Sequence, residues 1–192
     1  MTETVRAFVA IELPDVVRTA LGAAIAEIGA LRGVRPVRPE GVHLTLKFLG
    51  DVEAGRLGPV SEAIGEVARF VAPFSLGLGG TGVFPGTREP RVLWAGITGQ
   101  LGELRELWRA IQTATSVLGF ARDRRGFSPH LTLARIRHGS PPGDMKRAVE
   151  ALSRVEFADG IRMPVDRLSL MRSTLGPQGA SYARLASARL TG

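Results

Sequence analysis

The stretch His43-Leu44-Thr45-Leu46 returns unchanged as His130-Leu131-Thr132-Leu133, nearly half the chain later. Two of the chain's three histidines open these tetrapeptides. Each copy lies in an apolar run that predicts a β-strand, on which residues two apart point to the same face. In each copy the histidine and the threonine therefore share one face, and the leucines share the other. Two imidazole–hydroxyl pairs predict one site with a proton donor, a proton acceptor and hydroxyls between them.

The composition is that of an ordinary globular protein, with 192 residues, 44% of them hydrophobic and 22% charged. This length suffices for a buried core, and we predict a single bilobal domain over residues 1–192. No apolar run approaches the roughly 20 residues that cross a bilayer, and residues 1–6 lack the pattern of a signal peptide. We therefore expect a cytoplasmic protein without a membrane partner. The absence of cysteine excludes disulfides, thiol catalysis and cysteine-ligated zinc.

The net charge of +7 is consistent with an anionic partner such as RNA. Arginine carries nearly all of this charge, since lysine occurs only at Lys47 and Lys146. A genome composition that favours arginine, glycine and alanine produces the same preference for arginine over lysine. The chain also contains no long block of like charges. The charge therefore supports a nucleic-acid partner without identifying one.

Hydrophobic patterns predict strands alternating with amphipathic helices. The predicted strands are residues 5–13, 34–38, 43–49, 74–84, 91–98, 130–136, 165–172 and 181–190, the last two divided by a turn at 176–179. The predicted helices are residues 15–31, 59–71, 101–118 and 144–155. A similar order of elements follows each motif strand. We therefore predict an α+β fold of two related halves, each an antiparallel sheet backed by helices, with the motif strands facing each other across a central cleft.

Other kinds of catalytic site fit this sequence less well. Zinc sites usually take three or four protein ligands at recognisable spacings, whereas carboxylates are absent from both motif strands. His138 lies in a predicted loop and is interpreted as a surface histidine, so no metal is predicted. The chain contains no Gly-x-Ser-x-Gly nucleophile motif, no P-loop and no dinucleotide-binding fingerprint. The glycine-rich residues 77–82 lack the lysine and the following helix of a phosphate loop.

The residues around both copies resemble the 2H phosphoesterases, and in particular their RNA 2′,3′-cyclic phosphodiesterase branch, historically called 2′-5′ RNA ligase. The likeness lies in HLTLKFLG at 43–50 and PHLTLAR at 129–135, and in RAFVAI at 6–11, RPE at 38–40, GVFP at 82–85, RVLWAG at 91–96 and GASY at 179–182. Members of this branch often carry a tryptophan just before the RPE segment, where this chain has Arg35-Pro36-Val37. The resemblance implies a bilobal α+β fold with a central cleft.

This resemblance implies hydrolysis of RNA 2′,3′-cyclic phosphate ends to 2′-phosphomonoesters, together with a weak, reversible 2′-5′ ligation of RNA. It implies that His43 is the proton donor and His130 the proton acceptor, although the residues alone leave these roles interchangeable. Thr45 and Thr132 would bind the non-bridging phosphate oxygens. No metal and no nucleotide cofactor are implied, and we expect a monomer.

Three further residues are expected to bind the substrate. By alternation, Lys47 shares the face of His43 and would add positive charge. Arg135 falls on the leucine face by strict alternation, so its assignment rests on the resemblance, or on a bulge in the strand. Tyr182 lies in one of the matching segments and is assigned by resemblance. Two other hypotheses stay open: a 2H phosphodiesterase acting on a small cyclic phosphate such as ADP-ribose cyclic phosphate, and a non-catalytic module that binds RNA ends.

Overall fold

The computed structural model describes residues 3–124, 126–176 and 179–192, and within these ranges the chain forms nine strands and four α-helices. The strands are β1 (Thr4–Glu12), β2 (Val34–Pro36), β3 (His43–Glu53), β4 (Phe74–Phe84), β5 (Val92–Gly99), β6 (His130–Ile136), β7 (Arg162–Val165), β8 (Arg167–Gly176) and β9 (Gly179–Arg189). The helices are α1 (Asp15–Gly29), α2 (Leu57–Arg69), α3 (Leu101–Val117) and α4 (Pro142–Ser153). None of the helices in the described ranges has the length and apolar character needed to cross a bilayer.

The strands form one antiparallel sheet in the order β7-β4-β5-β6-β3-β1-β8-β9, and β2 adds alongside β6. The two motif strands, β3 and β6, lie at its centre. Only Asp166 separates β7 from β8 in the chain, although these strands lie near opposite ends of the sheet. The sheet must therefore curl until its two ends approach each other. The predicted α+β fold with antiparallel strands is confirmed.

The sheet divides into two similar lobes. In one lobe β3, β1, β8 and β9 pack with α2 and α3, and in the other β6, β5, β4 and β7 pack with α1 and α4. The series β1-α1-β3-α2-β4 and β5-α3-β6-α4-β8 occupy equivalent places on the two sides of the sheet's centre. The predicted pair of related halves is confirmed, but each half of the chain contributes elements to both lobes.

The two faces of the sheet have different environments. One face packs against the helices. The motif leucines are buried there, each at most 2% exposed: Leu44, Leu46, Leu131 and Leu133. Burying a leucine side chain in this way contributes roughly 1.5–3 kcal/mol. The other face is open to the cleft and carries a small separate cluster of Phe8, Ala10 and Met171. The motif side chains that do not face the helices therefore lie in the cleft.

The largest difference from the predicted elements concerns the strand expected at 165–172. Val165 ends β7, which pairs with β4, whereas Arg167 begins β8, which pairs with β1. The four residues of β7 include Pro164, which suits only an edge strand and obscures the strand pattern. Strand β3 continues past its predicted end because Gly50, with φ +75°, stays paired with Ala7. The predicted turn at 176–179 includes residues 177 and 178, which lie outside the described residues.

Candidate active site

The two motif copies meet at the centre of the sheet. Strands β3 and β6 pair at Leu44 and Leu131 and then diverge. Because these strands are antiparallel, the histidine of each motif lies beside the threonine of the other. The four polar side chains alternate with the buried leucines, so they lie on the open face, where all are half-buried. The motif strands are thus neighbours in the floor of the cleft instead of the opposite walls that the sequence predicted.

A bulge follows the threonine of the first motif. Strand β1 pairs Ala10 with Thr45 but Val9 with Lys47, so Leu46 is an extra residue without a partner on β1. An extra residue reverses the alternation of the side chains beyond it. Lys47 therefore turns to the leucine face, where it is 2% exposed. The prediction that Lys47 shares the face of His43 is wrong for this reason.

The second motif carries a bulge at the same place. Strand β5 pairs Trp94 with Thr132 and the preceding residue with Ala134, which leaves Leu133 without a partner. Here the reversal turns Arg135 away from the leucine face, so this side chain is exposed on the open face beyond Thr132. Within the described part of the chain, Arg135 forms no hydrogen bond or ion pair. It is therefore available to an anion in the cleft.

Lys47 ties the first motif strand to the segment that leads to the second. Its Nζ donates to Gln112 Oε1 at 2.8 Å, to the Ala121 carbonyl at 2.5 Å and to Asp123 Oδ1 at 3.0 Å. Gln112 Nε2 in turn donates to Asp123 Oδ2 at 2.7 Å. Residues 121–123 lie between α3 and β6. The buried ammonium group thus holds two parts of the fold together, and it lies outside the cleft.

The two histidine rings are held in the same way. His43 Nδ1 lies 2.8 Å from the Gly41 carbonyl oxygen, and His130 Nδ1 lies 2.8 Å from the Ser128 carbonyl oxygen. A carbonyl oxygen only accepts hydrogen bonds, so each Nδ1 carries a proton and donates it. Nε2 is therefore the nitrogen that gains and loses a proton on each ring. Sequence reasoning missed both carbonyl groups, whose only common signal is their place two residues before each histidine.

The threonines supply neutral donors beside these rings. Within the described ranges, neither the Thr45 nor the Thr132 hydroxyl forms a hydrogen bond with the protein. Each hydroxyl can therefore donate to an anion on the open face. No group of three or more histidine, cysteine, aspartate or glutamate side chains in the part of the chain that the structure describes is arranged to hold a metal ion. The chemistry that the arrangement offers is proton transfer next to a bound anion.

Aromatic rings pack against each histidine. The His43 ring centroid lies 4.6 Å from that of Phe8 and 4.7 Å from that of Tyr182. The His130 centroid lies 4.9 Å from that of Phe84 in an edge-on contact. These contacts limit the rotation of the imidazoles and shield them from water. Tyr182, which was predicted to bind substrate, is thus beside His43 on the open side of the sheet.

The histidines differ in the residue opposite them on the next strand. Strand β1 places Glu12 opposite His43, whereas β5 places Gly96 opposite His130. Glu12 and His43 share the wall of a cavity of about 190 Å³. Sequence reasoning missed Glu12, although a carboxylate near the end of an otherwise apolar strand is a signal that could have indicated it. Among the described residues, the cross-strand neighbour is thus a carboxylate for His43 and a glycine for His130.

Opposing effects act on the pKa of His43. Burial is the largest of them and lowers the pKa below its ordinary value, because a buried site disfavours the charged imidazolium. The hydrogen bond to Gly41 and the Glu12 carboxylate raise the pKa, and the nearby His130 lowers it. Glu12 therefore partly offsets the loss of the protonated form that burial causes.

Replacing Glu12 with glutamine is expected to lower the pKa of His43 further. The variant loses a carboxylate that favours the imidazolium, and it leaves Arg184, whose Nε lies 2.8 Å from Glu12 Oε1, without this partner. An NMR titration of the His43 ring should show a midpoint at lower pH than in the wild type. Glu40→Gln, on the wall of the same cavity, is the matched control and should shift the midpoint less. An unchanged or higher midpoint in Glu12→Gln would contradict this prediction.

A comparison with known sequences identifies the family of this chain. A sequence model described as LigT like Phosphoesterase matches residues 11–94 and 97–182, which together span most of the chain. The chain belongs to the LigT-like phosphoesterase family. Each matched segment contains one copy of the motif, in agreement with the two related halves of the fold. The resemblance to the 2H phosphoesterases that the motifs indicated is thereby confirmed.

Full-length relatives of this LigT-like phosphoesterase share about a third of its residues. It is 34% identical over 180 residues to the RNA 2′,3′-cyclic phosphodiesterase of Archaeoglobus fulgidus, covering 94% of this chain and 97% of the relative. It is 36% identical over 193 residues to the RNA 2′,3′-cyclic phosphodiesterase of Thermus thermophilus, covering 97% and 91%. The relatedness therefore extends over nearly all of each chain.

Solved structures agree with the fold of this LigT-like phosphoesterase. A crystal structure of a Thermus thermophilus protein matches with a TM-score of 0.81 and 34% identity, covering 97% of this chain and 98% of the other. The crystal structure of E. coli LigT complexed with 3′-AMP matches with a TM-score of 0.78 and 26% identity, covering 99% and 100%. The fold is therefore shared over nearly the whole of each chain.

Proposed function

We propose that this LigT-like phosphoesterase hydrolyses RNA 2′,3′-cyclic phosphate ends to 2′-phosphomonoesters by acid–base catalysis with two histidines. One observation carries the proposal: His43 and His130 are held alike through Nδ1, with Nε2 left to titrate, beside two threonine hydroxyls on one open face. The A. fulgidus and T. thermophilus relatives, both named RNA 2′,3′-cyclic phosphodiesterases, support the substrate class.

In the proposed reaction, neutral His130 accepts a proton from water on Nε2 as the water oxygen attacks phosphorus. The bond from phosphorus to the ribose 3′ oxygen breaks, and the His43 imidazolium gives its Nε2 proton to that oxygen. The product carries a 2′-phosphate and a 3′-hydroxyl, and solvent then restores both protonation states. Thr45 and Thr132 would stabilise the negative charge on the non-bridging oxygens. No metal and no nucleotide cofactor takes part.

The neighbours of the two histidines support the direction of proton transfer implied by the family resemblance. Glu12 favours the protonated form of His43, whereas Gly96 supplies no charge opposite His130. Burial lowers the pKa of His43 and outweighs Glu12. The support for the donor role therefore comes from Glu12, which has no counterpart opposite His130 on β5.

The test incubates the EDTA-treated protein with an RNA that ends in a 2′,3′-cyclic phosphate and identifies the product by ³¹P NMR. We expect a 2′-phosphate, formed at a rate that EDTA does not change. A 3′-phosphate, or activity that chelation removes and added metal restores, would overturn the proposal. Faster turnover of ADP-ribose cyclic phosphate would favour a small substrate, and tight binding of the RNA end without turnover would favour a binding module.

We also propose that the same groups support a weak 2′-5′ ligation. The 5′-hydroxyl of a second RNA would take the place of water, lose its proton to His130 and attack phosphorus, so that the 3′ oxygen again departs. A 2′-5′ linked product should form at high RNA concentrations, and the enzyme should cleave the same product in the reverse reaction. Exclusive hydrolysis at every concentration of the acceptor RNA would contradict this part of the proposal.

A further inference from the structure

Two arginines lie side by side where β2 joins the second motif strand. Arg35 on β2 is the direct cross-strand partner of Arg135 on β6. The adjacent pair, Val34 and Ile136, is buried on the helix side of the sheet, at 3% and 8% exposure. Because side chains alternate along a strand, the two arginines lie on the opposite, open face. Both side chains are exposed there.

This arginine pair continues the row of motif side chains. Strand β6 pairs with β3 at Leu131 and with β2 from Ala134 onward, so β2 occupies the wedge that opens as the motif strands diverge. Beyond Thr132, the bulge places Arg135 next on the open face, and Arg35 lies one strand to the side. The pair therefore adjoins the proposed reaction centre without being part of the two motifs.

Arg35 also approaches the other lobe. A Cβ atom built on Gly179, at the start of β9, would lie 3.3 Å from Arg35 Nη2. Strand β9 belongs to the lobe of β3, whereas β2 pairs with β6 of the opposite lobe. The Arg35 guanidinium therefore reaches from one lobe to the other beside the cleft. An RNA chain that leaves the reaction centre on this side would pass next to the Arg35 guanidinium.

The charges of this pair favour an anion. Like charges placed directly opposite each other on neighbouring strands repel. Within residues 3–124, 126–176 and 179–192, no acidic side chain pairs with Arg135. Guanidinium groups bind phosphate with two parallel hydrogen bonds, which makes phosphate the anion that this geometry suits best. A phosphate bound beside both side chains would place its negative charge between the two guanidinium groups.

We propose that Arg35, with Arg135 beside it, binds the internucleotide phosphate that precedes the terminal nucleotide of the RNA. This inference rests on the proposed function and extends it to the substrate class. The reacting cyclic phosphate lies at the histidines and threonines, and the next phosphate along the RNA lies at the arginine pair. The enzyme therefore prefers oligonucleotide ends to cyclic mononucleotides.

The experiment compares wild type and Arg35→Gln on two substrates, a 2′,3′-cyclic mononucleotide and a tetranucleotide ending in a 2′,3′-cyclic phosphate. The wild type should show the higher kcat/KM with the tetranucleotide. In Arg35→Gln the kcat/KM for the tetranucleotide divided by that for the mononucleotide should fall by about tenfold. This is the effect of losing one charge-assisted contact. Loss of one phosphate contact should also make the salt dependence of tetranucleotide binding shallower by about 0.7 log units per log unit of salt.

Two variants separate the position, charge and geometry of the Arg35 side chain. Arg69→Gln removes the same charge from an exposed site on α2 and should keep the wild-type substrate ratio. Arg35→Lys keeps the charge and should retain the wild-type salt dependence, although it loses the paired geometry of the guanidinium. Thermal unfolding of each variant shows whether the fold is intact.

Different results separate this inference from the proposed function. An equal fall of kcat/KM for both substrates in Arg35→Gln, or a wild type without preference for the tetranucleotide, would overturn the second phosphate site. If the wild type turned over neither substrate, the proposed function would fail. Binding of a tetranucleotide with a terminal 2′-phosphate, measured by fluorescence anisotropy, would still test Arg35, and an unchanged salt dependence in Arg35→Gln would then reject the site.

Discussion

Replacing either His43 or His130 with alanine is expected to lower kcat for an RNA 2′,3′-cyclic phosphate by about 10²–10⁴-fold, the usual contribution of a positioned acid or base. Each ring can exchange a proton only through Nε2, because Nδ1 donates a hydrogen bond to a backbone carbonyl at 2.8 Å. Alanine removes this proton-transfer group, and the threonine hydroxyls that would hold the phosphate remain. The loss should therefore fall on kcat more than on KM, as steady-state kinetics with each variant can measure.

The third histidine of the chain provides the matched control for this prediction. His138 lies on the surface beyond β6, and its side chain is exposed. His138→Ala should keep the wild-type kcat. The double variant His43→Ala/His130→Ala should lose less than the product of the two single effects, because two groups that act in one step are not independent. Wild-type kcat in either motif variant would contradict the paired-histidine mechanism.

Replacing Lys47 with methionine is expected to lower the free energy of unfolding by about 1–3 kcal/mol, the usual cost of losing hydrogen bonds to a charged group. The Lys47 side chain is 2% exposed, and its ammonium group donates to Gln112, to the Ala121 carbonyl and to Asp123. Methionine fills the same space without donating a hydrogen bond. Chemical denaturation measures the change. The melting temperature should fall by roughly 2–4 °C per kcal/mol in a chain of this size.

The chain's other lysine is the matched control for Lys47. Lys146 is 79% exposed, so Lys146→Met should leave stability within about 0.5 kcal/mol of the wild type. Lys47→Met should also lower kcat, because residues 121–123 precede the segment whose Ser128 carbonyl holds His130. Equal melting temperatures in the two lysine variants would show that the buried contacts of Lys47 do not stabilise the fold.

The periodic elements of the fold were predictable because their patterns are local. Helix α3 begins at the predicted residue and ends within one residue of the predicted end, since its apolar residues recur at helical spacing. Strand β6 has its predicted bounds for the corresponding reason, an apolar run with a clear start. Strand β7 was missed, because four residues that contain a proline carry no period of their own. Its place depends on pairing with β4, which is a distant contact.

The bulges explain which site residues could be assigned from the sequence. Alternation placed His43 and His130 with their threonines correctly, because these residues precede the bulges. Alternation failed directly after the bulges. It placed Lys47 on the open face, although Lys47 is buried on the leucine face, and it placed Arg135 on the leucine face, although Arg135 is exposed on the open face. A bulge is a relation between two strands, and the unpaired residue is defined only by the register of the partner strand. No local pattern therefore distinguishes an extra residue in the strand from a paired one.

The sequence by itself determined the two histidine–threonine pairs, their common face and the duplicated α+β architecture, because alternation and amphipathic periodicity act over neighbouring residues. The tertiary structure alone decided that the pairs adjoin at Leu44 and Leu131, that Glu12 lies opposite His43, and that Arg135 meets Arg35 in the wedge between the motif strands. These contacts depend on strand order and register, which join residues far apart in the chain and which the pairing of backbones across the whole sheet sets.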